Sequence, residues 1–149
     1  MVVGADIDDA SFINLIEESG AAVVTDDLCP GTRDSWEGTE VTTDPMDGVA
    51  ERYLKKVKCG RTYRETKGSY ADDLEDRFGH IKRFVRDFNV NGVILYIYKY
   101  CDSFGFEVPA MKDYIKSLGM PVLYLEDEYS QTTIARLKTR VQAFLEMLG

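Results

Sequence analysis

Apolar residues change their spacing along this chain, and each change marks an element. The run Val2 to Ala5 predicts a short first strand. Phe12, Ile13, Leu15 and Ile16 then recur at helical spacing, with Glu17 and Glu18 outside, which predicts a helix over 11–19 stopped by Gly20. Ala21 to Thr25 predicts a second strand. Residues 33–45 show no period, and only Trp36 reads as an anchor. Asp44-Pro45 supplies an N-cap followed by proline at the first helical position. The helix expected over 46–56 sets Met46, Val49, Ala50, Tyr53 and Leu54 on one side. A basic loop over 57–68 leads to a long helix over 69–88, marked by Leu74, Phe78, Ile81, Phe84 and Val85. Gly92 to Tyr98 is the expected central strand, and Val93 to Tyr98 within it is an unbroken apolar run rich in β-branched and aromatic types, the pattern of a strand buried on both faces. A helix over 108–118 is expected to start at Pro109 and stop at Gly119. A strand over 121–125 follows, then a closing helix over 132–148 with Ile134, Leu137, Val141, Phe144, Leu145 and Leu148 inward.

Strands alternating with helices imply right-handed crossovers and a parallel sheet covered on both faces. The expected fold is one α/β domain over residues 1–149, a three-layer Rossmann-like or flavodoxin-like arrangement around a four-stranded parallel sheet. The first strand should lie beside both the second and the central strand. Asp6/Asp8/Asp9, Asp26/Asp27/Cys29, Cys101/Asp102 and Glu126/Asp127 all follow predicted strand ends. In such sheets ligands bind outside the carboxyl ends of the strands, so these clusters converge on the edge where a site belongs.

Composition narrows the chemistry. A net charge of −8 argues against a nucleic-acid-binding module. The three cysteines, Cys29, Cys59 and Cys101, are scattered and odd in number, which fits a reduced, cytoplasmic setting better than a disulfide framework. Neither a leader nor a membrane-spanning apolar run is visible. The opening strand is short, so a truncated start with more sequence upstream is expected. Neither GxGxxG nor GxxxxGK[ST] is present, so a nucleotide loop is unsupported. The acidic pairs read as helix caps before they read as a cation site. His80 falls within a predicted helix and reads as structural, and Tyr96, Tyr98 and Tyr100 as packing beneath helices. Cys29 reads as structural and Cys59 as an incidental surface thiol. Cys101 admits three readings: a metal or cluster ligand, a nucleophile, or a small apolar filler. Its place after the central strand, next to Asp102, favours a functional one.

Three stretches carry a family resemblance: Val93-Ile-Leu-Tyr-Ile-Tyr-Lys-Tyr-Cys-Asp-Ser-Phe-Gly-Phe-Glu, Gly119-Met-Pro-Val-Leu-Tyr-Leu-Glu-Asp-Glu-Tyr-Ser, and Arg136-Leu-Lys-Thr-Arg-Val-Gln-Ala-Phe-Leu-Glu-Met-Leu. Asp26-Asp-Leu-Cys-Pro-Gly-Thr-Arg33 and Asp44-Pro followed by Ala50-Glu-Arg-Tyr-Leu fit the same pattern. Together they resemble the carboxyl-terminal domain of the 2-hydroxyacyl-CoA dehydratase and benzoyl-CoA reductase family, whose namesake is the 2-hydroxyglutaryl-CoA dehydratase D-component. The resemblance implies a domain of a larger two-domain subunit. It implies a heterodimer with a second cluster-bearing subunit and an ATP-driven activator protein as electron donor. It implies a [4Fe–4S] cluster held by three cysteines, with Cys101 matching the carboxyl-domain ligand and the other two lying in an amino-terminal domain that this chain lacks. This chain alone is therefore expected to bind no cluster and to be inactive, and ligation is not carried onto Cys29 or Cys59. In the dehydratases one electron reduces the thioester carbonyl of a 2-hydroxyacyl-CoA to a ketyl radical anion, which expels the hydroxyl group. The benzoyl-CoA branch instead reduces an aromatic ring. A scaffold domain that kept the fold and lost the chemistry is the non-catalytic alternative.

Overall fold

The computed structural model describes residues 1–8, 10–59, 62, 68–128 and 133–149. Four parallel strands, β1 (Val2–Gly4), β2 (Asp26–Asp27), β3 (Val93–Tyr98) and β4 (Val122–Asp127), form one sheet in the order β2-β1-β3-β4. β1 thus lies between the second and the central strand, as expected. Alternation sorts the sheet residues. Val3, Val93, Leu95 and Ile97 face the layer of α4 (Tyr70–Asp87) and α5 (Asp102–Ser117). Val2, Ile94, Tyr96 and Leu125 face α1 (Ala10–Glu18) and α6 (Ile134–Leu148). Both faces of β3 are therefore covered, which is why its sequence shows no polar alternation. Among the described residues no helix is long and apolar enough to cross a membrane.

α4 begins at a capping box: Ser69 Oγ accepts from the Asp72 amide, and Asp72 Oδ2 accepts from the Ser69 amide. It ends at Asp87 with Phe88 as C-cap, and Asn89, with a positive φ of 48°, turns the chain toward β3. Trp36 packs edge-on against Phe84 at 4.8 Å, so the anchor expected in the irregular stretch is real.

Four boundaries differ from the sequence expectation. α5 starts at Asp102, and Pro109 lies inside it. Phe104, Val108, Met111 and Ile115 form one buried stripe across the proline, and that burial outweighs the hydrogen bond the proline cannot donate. β2 pairs only at Asp26 and Asp27, because its neighbour β1 opens at Val2 and Val2 is in register with Asp26; residues 21–25 lie outside the ladder. β4 continues through Glu126 and Asp127, which follow β3 out to Ile97 and Tyr98. The fourth is α3 (Pro45–Glu51), capped by Asp44 as expected but passing into a π-helical turn over Arg52–Lys56. Met46, Tyr53 and Leu54, from the apolar side expected of this helix, are exposed. This excursion is held by polar contacts instead: Arg52 Nε donates to the Glu37 carbonyl at 2.8 Å, and the Gly48 amide donates to Thr42 Oγ1.

Gly4 closes β1 at the edge where the site lies. Its φ is +153°, and a Cβ there would sit 1.7 Å from the Tyr96 carbonyl oxygen of β3. Gly4→Ala is expected to lose at least the roughly 1–3 kcal/mol of backbone strain that such a conformation costs a non-glycine residue. A drop in the urea midpoint with an unchanged slope checks this.

Candidate functional site

Cys101 sits where β3 turns into α5. The turn is tight. Tyr100 takes a left-handed backbone, φ 68°, and the Cys101 amide donates back to the Tyr98 carbonyl at 3.1 Å. The Lys99 amide donates to the Asp127 carbonyl at 2.8 Å, continuing the β3–β4 ladder past the strand end. Cys101 is the N-cap residue of α5: its carbonyl accepts from the Gly105 amide at 2.8 Å, but its side chain makes no capping bond. The sulfur is half-buried at the mouth of an open cleft of about 320 Å³, lined by Tyr98, Tyr100, Asp102, Phe106 and Glu126. Tyr100 and Phe106 are almost fully exposed on either side of it. Tyr100 thus does not pack beneath a helix, whereas Tyr96 does. The free amides and positive dipole end of α5 favour a negatively charged ligand at this position. Among the described residues no three His, Cys, Asp or Glu side chains converge to hold a metal ion.

A second polar assembly lies under the same edge, and sequence reasoning missed it. Asp27, the last residue of β2, is fully buried. Arg33 of α2 (Thr32–Ser35) reaches back from the following loop, its Nε 2.8 Å from Asp27 Oδ1 and its Nη2 3.1 Å from Oδ2. Nη2 also donates to the carbonyls of Asp27 and Gly4. His80 Nε2, on α4, lies 3.2 Å from Asp27 Oδ2. Burial alone would raise the Asp27 carboxyl. The Arg33 charge and His80 outweigh it and hold the group down to about 2. Asp27 and His80 border a cavity of about 160 Å³ with Cys59, Arg77 and Glu107. His80 lies within α4, as expected, and turns its Nε2 toward the buried carboxylate. The legible hint was an Asp-Asp pair closing an apolar run, with an arginine in the next loop.

The other expected site residues separate. Asp26 accepts from the Leu28 and Thr32 amides at 3.2 and 2.8 Å, so it ties the loop that leads into α2, whose N-cap is Gly31 rather than an aspartate. Cys59 is buried at 7% exposure rather than on the surface, because Val57 and Cys59 pack into the α4–α5 layer. Cys29 is half-buried, with Arg33 Nη1 3.8 Å from its sulfur. Glu126 and Asp127 belong to β4 rather than to a loop after it. Asp127 Oδ2 accepts from the buried Tyr96 hydroxyl at 3.0 Å. Burial first, then bonds with Tyr98 and Asp127, raise that hydroxyl well above the ordinary tyrosine range, so it stays a neutral donor. Asp9, a proposed helix cap, lies outside the described residues.

Comparison with known proteins sets this geometry in context. Residues 1–148 match the family described as 2-hydroxyglutaryl-CoA dehydratase, D-component. The chain is 28% identical to the protein named "Putative dehydratase subunit YjiM" of Escherichia coli (strain K12). It is 25% identical to the (R)-phenyllactyl-CoA dehydratase beta subunit of Clostridium sporogenes and 23% identical to the lactoyl-CoA dehydratase subunit beta of Anaerotignum propionicum. Each match covers 99% of this chain but only 37–38% of the relative, so the chain spans less than two fifths of the length of the curated proteins it matches.

Proposed function

The chain belongs to the 2-hydroxyglutaryl-CoA dehydratase D-component family, and on that premise we propose that it is the carboxyl-terminal domain of an iron–sulfur subunit of a 2-hydroxyacyl-CoA dehydratase. The observation that carries this reading is Cys101: a half-buried thiol at the carboxyl edge of the sheet, at a helix start, beside an open cleft. The names of two relatives point to 2-hydroxyacyl-CoA thioesters rather than to an aromatic ring. In the full assembly Cys101 supplies one ligand to a [4Fe–4S] cluster, and the remaining thiolates come from outside this chain. Bound there, the cluster supplies a low-potential electron and a Lewis-acidic iron for a thioester carbonyl. The chain's own contribution is placement. The Tyr98–Cys101 turn fixes the sulfur at the sheet edge, and Tyr100 and Phe106 border the approach to it. The partners in this reading are a second cluster-bearing subunit and an ATP-driven activator protein that donates the electron. The setting of this reading is a reducing cytoplasm, where cysteines are kept reduced.

The test is anaerobic assay of the parent subunit with its partner subunit and activator on a set of 2-hydroxyacyl-CoA thioesters. Formation of the 2-enoyl-CoA, dependent on ATP and on bound iron, is expected. Ring reduction of benzoyl-CoA without water elimination would move the protein to the reductase branch. An iron-free assembly with neither activity would leave a scaffold domain.

A further inference from the structure

We propose that Arg33 is a positioning residue for Cys101, acting through the ring of Phe104. The proposal rests on the cluster reading of Cys101 and adds what holds that residue in place. Arg33 is 4% exposed, and its guanidinium joins parts of the chain that are far apart in sequence. It is paired with Asp27 at the end of β2 and bonded to the Gly4 carbonyl at the end of β1. Its Nη1 lies 3.8 Å from Cys29 Sγ. Its Cζ lies 4.5 Å from the centre of the Phe104 ring. Phe104 is the third residue of α5 and is itself 3% exposed. Cys101 is the residue on which that helix starts, one turn before Phe104 and with no capping bond from its own side chain.

The consequence is geometric. A metal-ligating side chain is held only as well as the backbone that carries it, and its supporting contacts tune the metal. The backbone of Cys101 is tied on one side by the turn from β3. On the helix side, Phe104 carries the first turn of α5, and that ring is clamped between the buried Arg33 plane and the core. The guanidinium serves twice, Nε and Nη2 on the carboxylate and Cζ over the ring, which a lysine cannot reproduce. The arginine thus links the Asp27 end of the sheet to the start of the ligand-bearing helix.

The parent subunit with its partner, loaded with iron anaerobically, tests this in the wild type and in Arg33→Lys, Phe104→Leu and Cys29→Ser. Phe104→Leu keeps the Asp27–Arg33 pair and removes only the ring, so it separates positioning from fold stability. Iron loss to a chelator and the electron paramagnetic resonance spectrum of the reduced cluster are read well below the unfolding temperature of each variant. Both Arg33→Lys and Phe104→Leu should lose iron about 10-fold faster, as supporting-residue changes do at other metal sites, and should shift the spectrum. Cys29→Ser should leave both as in the wild type. Wild-type spectra and wild-type iron loss in both Arg33→Lys and Phe104→Leu would overturn the positioning role while leaving the cluster reading intact. A wild-type assembly that binds no iron would overturn the cluster reading and this inference with it.

Discussion

Asp27→Asn is expected to destabilise the fold by about 3–5 kcal/mol at neutral pH, the range for breaking a buried ion pair by removing one partner. The side chains of Asp27 and Arg33 are 1% and 2% exposed. The substitution leaves a guanidinium in the interior with no charge to answer it, and it weakens the contact with His80. Removing both partners should behave differently. In Asp27→Asn/Arg33→Met the uncompensated charge is gone, and the double variant should recover much of the loss. The effect should also depend on pH, with a definite sign. The carboxyl is held at about 2 in the folded state against an ordinary 3.8. Its stabilisation is present above the unfolded value and is lost as pH falls from about 4 through 2. The depression corresponds to roughly 2–3 kcal/mol. Urea unfolding of wild type and Asp27→Asn from pH 7 down to pH 2 should show the two curves converging below pH 4. Parallel curves across that range would mean that Asp27 is not held ionised by Arg33.

What could be read from the sequence, and what could not, follows from how local each determinant is. β3 and α4 were legible because burial fixed every position in a row: a strand covered on both faces needs an unbroken apolar run, and a helix on the sheet needs a stripe. The start of α5 was misplaced because Pro109 carries a strong local signal for a first helical turn. The stripe from Phe104 to Ile115 is the stronger constraint, and it shows only once the sheet is present to bury it. The exposure of Met46, Tyr53 and Leu54 was not legible for the converse reason: spacing shows that a face exists, not whether anything covers it. Cys101 was legible because a cysteine directly after the central strand must reach the sheet edge. The Asp27–Arg33–His80 assembly was not. Its members are polar residues of β2, a short helix and α4, and nothing in their spacing along the chain announces that they meet in the interior.

The other large effect concerns Cys101, where the fold and the proposed cluster should respond in opposite directions. Serine is among the preferred N-cap residues, and its hydroxyl can accept from an amide of the first helical turn, a bond that the Cys101 side chain does not make. Cys101→Ser should therefore leave the stability of the chain unchanged or raise it by about 0.5–1 kcal/mol. As a ligand serine is the poorer choice, since a hard alkoxide replaces a soft thiolate at iron and is far harder to deprotonate. In the full assembly the variant should lose most of its iron and sulfide, and water elimination should fall by more than about 100-fold, beyond what supporting residues cost. The two readouts make the experiment decisive. Lost iron with a retained or higher unfolding temperature assigns the sulfur to the cluster. Lost iron with a lower unfolding temperature would mean that the thiol was packing rather than ligand, and unchanged iron would move the ligand elsewhere.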